Sequence, residues 1–188
     1  MPKEKAADKS SKSRKDLAEV PASGDILRAY EHLGRIDVLE GGLAGSPFVD
    51  VNVLANLAQQ QLDSGHAKNA AILLRAAEHI SFAALAPSKS AELTSHISGE
   101  LKSAVAAELD RLLRSAEELW SESEDLSNHA VIATIFAGAL EQARNAFACG
   151  AYRPALQLAR AAEALAQVTE GLPATLPGDR ELTRRLAS

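Results

Sequence analysis

Residues 143–165 read ARNAFACGAYRPALQLARAAEAL, and residues 58–80 read AQQQLDSGHAKNAAILLRAAEHI. The second copy starts 85 positions after the first (143 − 58), and the two align without a gap. They share a glycine, small or apolar residues around it, and the tetrapeptide Arg-Ala-Ala-Glu. Each copy is typical of a helix, a glycine turn and a second helix, with Gly65 and Gly150 at the turns. The sequence therefore predicts two related helical hairpins.

Composition favours an all-α fold around this duplication. The 188 residues include 37 Ala and 26 Leu but only 4 Phe, 2 Tyr and 1 Trp. Ala and Leu are strong helix formers, and residues that favour strands are few. A chain of this length suits one domain. Because alanine is small, helices that meet through alanine faces can approach closely.

The cysteine content and the apolar segments bear on disulfide formation and on cellular location. The single cysteine, Cys149, excludes an internal disulfide, and its place beside a turn glycine predicts a partly buried small residue. The charged N-terminus has no apolar segment of the kind that signal peptides carry. The longest apolar stretch, Ala130 to Leu140, is shorter than the ~20 residues that a membrane span needs. We expect a cytoplasmic protein without a membrane segment.

The first 22 residues predict a disordered basic arm. Residues 1–16 carry six Lys or Arg and three Asp or Glu, a net charge of +3, so the remainder carries −8 for the chain to total −5. Such an arm is either a solubilising leader or a weak contact for nucleic acid or an acidic partner. Proteins that bind single-stranded nucleic acid use aromatic side chains to stack on the bases, and no aromatic residue lies among the basic residues of this arm. Nucleic acid is therefore not the expected main partner.

Residues 23–188 are predicted to form a single all-α domain. A helix starts near Ser23 and is ended or loosened at Gly34, and the glycine-rich segment from Gly41 to Pro47 is a loop. A hairpin over 50–86, a long middle helix over 89–121, a second hairpin over 127–170 and a short C-terminal tail follow. Gly99 leaves open whether 89–121 forms one helix or two. We expect both hairpins to pack around the middle helix, with the apolar first helix of the second hairpin at the centre.

The spacing around each glycine resembles a known repeat. Gly150, Tyr152, Ala155, Ala159 and Ala162 follow the turn and second helix of a tetratricopeptide repeat. The first copy has the same spacing at Gly65, Ala70, Leu74 and Ala77, with Ala67 in place of the aromatic residue. The chain thus resembles degenerate tetratricopeptide-like hairpins, although the copies lie 85 apart instead of about 34 and lack the first-helix Trp and Tyr signatures. The resemblance implies a stack whose concave face binds a peptide. A closed helical bundle with an internal duplication is the alternative architecture.

Six side chains are candidates for contacting a partner: Arg75, Glu78, Arg160, Glu163, Trp120 and Tyr152. The first four form the only charged pairs repeated in both copies, and a spacing of three places each pair on one helix face. They form a polar strip facing a partner, intrahelical pairs, or bridges to a neighbouring helix. Trp120 lies in an acidic segment, where it either caps the core or offers a contact to a partner. Tyr152 is the aromatic residue of the second turn.

Catalytic and cofactor motifs are missing from the chain. None of the five histidines pairs with another at a spacing of four, so no helical zinc motif is present. No nucleophile with a base, paired-carboxylate motif or nucleotide fingerprint emerges. The HEPN nucleases are alanine-rich helical bundles of similar length, and their catalytic Arg and His are separated by four to six residues. In this chain only three residues separate Arg28 from His32 and Arg75 from His79, so the catalytic pattern is missing. We therefore predict no catalytic residue, no metal and no cofactor.

These observations together favour a non-catalytic scaffold or adaptor. Its partner would be another protein, whose peptide or helix lies in a groove between the hairpins, or a second copy of the chain. The alternatives are a helical bundle with a polar inter-helix site for a ligand or a reaction, drawing on the histidines and Arg144 or Arg160, and a non-catalytic HEPN-like bundle.

Overall fold

The computed structural model describes residues 23–86, 98–123, 129–168 and 172. These residues form six α-helices and no strand, which confirms the all-α prediction. The helices are α1 (Ser23–Glu40), α2 (Ser46–Asp63), α3 (Ala67–Ala84), α4 (Gly99–Glu122), α5 (Ala130–Ala148) and α6 (Tyr152–Ala166). The predicted N-terminal arm, residues 89–97 and nearly all of the C-terminal tail lie outside the described residues.

The two predicted hairpins are α2–α3 and α5–α6, and their turns have the same geometry. Gly65 and Gly150 have φ angles of 84° and 78°, in the left-handed region that favours glycine. In each turn the glycine N–H donates to a carbonyl three residues back at 3.0 Å, and the next N–H donates five residues back at 2.8 Å. This pair of bonds is the Schellman motif, which satisfies carbonyls left free at a helix end. The sequence duplication is therefore also a duplication of backbone hydrogen bonds.

The second helices of the hairpins form the centre of the molecule. Helix α3 packs against α1, α2 and α6, and α6 packs against α3, α4 and α5. A helix with three neighbours is covered on most of its surface, which small side chains permit. Six of the fifteen residues of α6 are buried alanines: Ala155, Ala159, Ala161, Ala162, Ala164 and Ala166. Small alanine side chains therefore line the helix that has three neighbours.

Two expectations about the centre are wrong. The long helix α4 lies at the periphery, with α6 as its main neighbour, and the hairpins do not pack around it. Helix α5, the most apolar in sequence, also has α6 as its main neighbour. Hydropathy identified α5 as a helix with a buried face. It did not show how many neighbours cover that helix, and alanine-rich α3 and α6 fit the crowded positions better.

Helix ends differ from prediction where glycine and proline were read as breakers. Helix α1 continues through Gly34 to Glu40, since one glycine inside a helix costs only ~1 kcal/mol. Helix α2 begins at Ser46, four residues early, because Pro47 occupies the first turn, where its missing N–H does no harm. Helix α4 begins at Gly99, with the Ser98 hydroxyl accepting from the Leu101 N–H at 3.3 Å. Cys149 is exposed and not partly buried, because it follows the last turn of α5.

Candidate functional site

A cleft lies between the two hairpins, where α2, α3, α5 and α6 meet. We call it the inter-hairpin cleft; its volume is about 90 Å³, and it is lined by Pro47, Asp50, Ile80, Ala83, Ala84, Ile135, Ala139, Gln142 and Leu158. Its apolar residues Ile80, Ile135, Ala139 and Leu158 are buried, whereas Ala84 and Gln142 are exposed. Asp50 of α2 and Ile135 of α5 precede the two copies by the same distance (135 − 50 = 85), so the first helices of both hairpins contribute at corresponding positions. The cleft therefore forms only when the two hairpins pack against each other.

The size of the cleft limits what can enter it. Small-molecule and cofactor sites usually measure about 300–1,000 Å³, and an apolar cavity of about 150 Å³ holds benzene. At about 90 Å³ the inter-hairpin cleft has room for one side chain of a larger molecule. Its chemistry is that of an apolar slot with one amide, from Gln142, and one carboxyl group, from Asp50.

Asp50 is the only ionisable residue of this lining. Burial raises the pKa of its carboxyl group from the ordinary 3.8 to about 6. Within the described part of the chain, this carboxylate has no hydrogen-bond or ion-pair partner to offset the loss of water. Burial of a charge without a partner is costly, and such groups shift their pKa or acquire a partner. Asp50 is therefore a half-buried carboxylate without a protein partner among the described residues, at the side of an apolar slot.

The other repeated carboxylates have partners on the flanking helices. Glu78 is 7% exposed, and its carboxylate accepts hydrogen bonds from His32 at 2.5 Å and Arg35 at 3.2 Å, both on α1. Its counterpart Glu163 lies 3.8 Å from Arg111 of α4. Both glutamates thus bridge to a neighbouring helix, one of the structural alternatives that the sequence left open. One bridge links α1 to α3, and the other links α4 to α6, so both involve the central pair of helices, α3 and α6.

The repeated arginines Arg75 and Arg160 do not take part in these bridges. Arg75 is exposed, Arg160 is half-buried, and neither has a carboxylate oxygen within 4 Å among the described residues. Both are close enough to His79 of α3 to lower its pKa, an effect that adds to the larger one of burial. The sequence predicted intrahelical pairing with Glu78 and Glu163 as another alternative, and the structure shows no such pair in the described ranges.

His79 joins the two central helices. Its Nδ1 donates to the Gln157 side-chain oxygen of α6 at 2.7 Å, while its Nε2 is buried and unpartnered among the described residues. Burial is the main cause of its lowered pKa, so the neutral ring is favoured in the folded protein. Sequence reasoning treated His79 only as a possible metal or nuclease residue and did not predict this contact.

The two aromatic candidates pack within the second half of the molecule. Trp120 of α4 stacks on Phe136 of α5, with ring centroids 4.0 Å apart and an interplanar angle of 9°. Tyr152 lies against Phe147 across the second turn, with centroids 5.2 Å apart. Both side chains are half-buried. Neither lines the inter-hairpin cleft.

The outer face of α1 is a second apolar surface. Leu27, Tyr30 and Val38 are 60%, 60% and 82% exposed and lie on one side of the helix, opposite the buried Ala29 and Ile36. Large exposed apolar residues placed together mark interaction sites more often than isolated ones do. This outer α1 stripe consists of Leu27, Tyr30 and Val38.

Comparison with protein families, curated proteins and solved structures gives no match for this chain. Within the described ranges, no cluster of three or more His, Cys, Asp or Glu side chains has the geometry of a metal site. None of the described helices combines the length and the apolar character that crossing a bilayer requires. The tetratricopeptide resemblance stays a prediction, because a helix–glycine–helix turn is common to many helical folds.

The sequence carried one unused signal for the inter-hairpin cleft. Asp50 precedes Val53, Leu54 and Leu57 at helical spacing, in line with residues that are buried in α2. A carboxylate in that register, where α5 of the second hairpin has Ile135, is an exception to the apolar pattern. The exception indicates a buried or partner-facing acid, and only the assembled fold shows which helices surround it.

Proposed function

We propose that this protein is a non-catalytic interaction module that binds a helix or extended segment of another protein across the inter-hairpin cleft. The observation that carries the proposal is the cleft itself: an apolar slot with exposed residues at its rim, formed jointly by both hairpins. Its volume suits one anchoring side chain, and buried anchors at the centre of an interface commonly dominate binding energy.

The proposal is tested by filling the cleft without disturbing the core. Gln142 is exposed and lines the cleft, so Gln142→Trp places a large ring over it. Asn56→Trp is the matched control, because Asn56 is exposed on α2 and does not line the cleft. The wild-type protein and both variants are used to capture partners from the cells that make the protein, after circular dichroism shows that all three fold.

The expected result is a specific partner that is captured by the wild-type protein and by Asn56→Trp and lost with Gln142→Trp. Capture of the same partner by all three proteins would place the binding surface elsewhere and refute the proposal. A photo-crosslinking residue at Ala84, which is exposed and lines the cleft, adds a direct test: it should crosslink to the captured partner.

Self-association is a second candidate, supported by the outer α1 stripe. Three large exposed apolar residues on one helix face are suited to pairing with the same face of a second copy around a two-fold axis. Light scattering during size-exclusion chromatography tests this: a dimer should become a monomer in Val38→Lys, and a monomeric wild-type protein excludes the candidate.

A further inference from the structure

We propose that the inter-hairpin cleft receives a lysine or arginine side chain of the partner, with its aliphatic stem on the apolar lining and its cation beside Asp50. This inference rests on the function proposed above and specifies the chemistry of the anchoring residue. It is carried by three observations: the shape of the cleft, the position of its only charge, and the lack of a partner for that charge within the described residues.

The lining matches the two parts of such a side chain. Long cationic side chains combine an apolar stem with a charged end, and the stem packs readily on apolar surface. Ile80, Ile135 and Leu158 supply that surface, and Asp50 supplies the opposite charge. A neutral apolar side chain would fill the slot but leave Asp50 unpaired, and an acidic one would bring two carboxylates together.

The contrast with the two repeated glutamates supports the same occupant. Glu78 and Glu163 are satisfied by cationic side chains of α1 and α4. In the described structure no cation of the chain reaches Asp50, and burial raises the pKa of its carboxyl group. A cation brought by a partner would complete at Asp50 what the chain's own arginines do at the two glutamates. The chain without its basic arm is acidic, which favours approach of a basic segment.

The test uses simple probes, so that it does not depend on knowing the partner. n-Butylammonium reproduces the stem and charge of lysine, and n-butanol is its neutral counterpart of similar size. Binding is followed from the methyl NMR signals of Ile80, Ile135 and Leu158 at constant ionic strength, in wild type, Asp50→Asn and Asp63→Asn. Asp63 is exposed on the same helix, so Asp63→Asn controls for the change in net charge.

The expected result is that butylammonium binds the wild-type protein and Asp63→Asn about tenfold more tightly than butanol does, and that Asp50→Asn abolishes the difference; tenfold corresponds to about 1.4 kcal/mol. Asp50 is the only titratable residue of the lining, so the preference should also weaken between pH 7 and pH 5, where its carboxyl group becomes protonated. Equal binding of both probes, an unchanged preference in Asp50→Asn, or no methyl shift with either probe would overturn the inference.

The two proposals fail in different ways. If Gln142→Trp loses the partner while butylammonium shows no preference, the cleft binds the partner through a neutral side chain, and only this inference is wrong. If butylammonium binds as expected but Gln142→Trp keeps the partner, the cleft accepts cations and the proposed interface lies elsewhere.

Discussion

Replacing the turn glycines by alanine should destabilise the protein, while the same replacement inside helices should stabilise it. Gly65 and Gly150 have φ angles of 84° and 78°, and a left-handed conformation costs a residue with a Cβ about 1–2 kcal/mol. Gly34 and Gly138 lie inside α1 and α5, where alanine is favoured over glycine by about 0.5–1 kcal/mol. The nearest atom to a Cβ at Gly138 is 3.8 Å away, and none lies within 4 Å at Gly34.

The four variants form a matched set, because each replaces glycine by alanine and changes the unfolded chain in the same way. Urea unfolding followed by circular dichroism gives the free energy of unfolding for each. For a protein of this size 1 kcal/mol corresponds to about 2–4 °C in Tm, so Gly65→Ala and Gly150→Ala should each lower Tm by about 2–8 °C. Gly34→Ala and Gly138→Ala should raise it.

The sign of the difference decides the matter. If all four variants shift stability in one direction, the turn conformation is not what distinguishes Gly65 and Gly150, and the assignment of the hairpin turns is refuted. Gly150→Val should be more damaging than Gly150→Ala, because a β-branched residue resists a positive φ more strongly. An unchanged Tm for Gly150→Val would contradict the turn at that position.

Three further predictions concern the central pair and the inter-hairpin cleft. Ala77→Leu and Ala162→Leu should each lower the free energy of unfolding by about 1–3 kcal/mol, because a larger side chain overpacks these fully buried positions. The control Ala107→Leu, at an exposed position of α4, should change it by less than about 0.5 kcal/mol. Equal effects of all three variants in urea unfolding would contradict the packing. Asp50→Asn should raise the free energy of unfolding at pH 7 by about 1–2 kcal/mol, a range reduced to allow for the partial exposure of Asp50. The reason is that the folded-state pKa of about 6 exceeds the ordinary 3.8, so the wild-type protein loses stability as pH rises between these values and the variant does not. His79→Gln should lose less stability than wild type between pH 7 and pH 5, because the folded-state pKa of His79 lies below 6.5 and acidification below that value favours the protonated, unfolded chain; parallel pH profiles of the two proteins would contradict this.

Sequence patterns predicted the local structure well and the assembly poorly. Gly65 and Gly150 predicted both turns because a left-handed helix end depends on one residue and its immediate neighbours. The same reasoning misjudged Gly34, since the surrounding residues of α1 pack on α3 and hold the helix together across it. Local propensity is decisive at a turn and is readily overridden within a packed helix.

The choice of central helix failed for a different reason. Periodicity shows which face of a helix is apolar, but it does not show what covers that face. Helix α5 has the larger apolar side chains, yet α6 is central because its small alanine side chains leave room for three neighbouring helices. The inter-hairpin cleft lay beyond prediction for the same reason: Asp50 was visible as an exception in the pattern of α2, while Ile135 and Leu158 reach it only through tertiary packing.

The pairing of α3 with α6 also has a consequence for synthesis on the ribosome. Helix α3 ends at residue 84 and α6 ends at residue 166, so 82 residues must be added before the last part of α6 is available. At about 5–20 residues per second this takes about 4–16 s. During that interval the emerging first half has α1 and α2 in place, but the face of α3 that later meets α6 is open to water and to other chains. A second nascent chain on the same messenger RNA exposes the same face of its own α3. Correct folding therefore requires the α5–α6 hairpin of each chain to pack on its own α3 before another chain does.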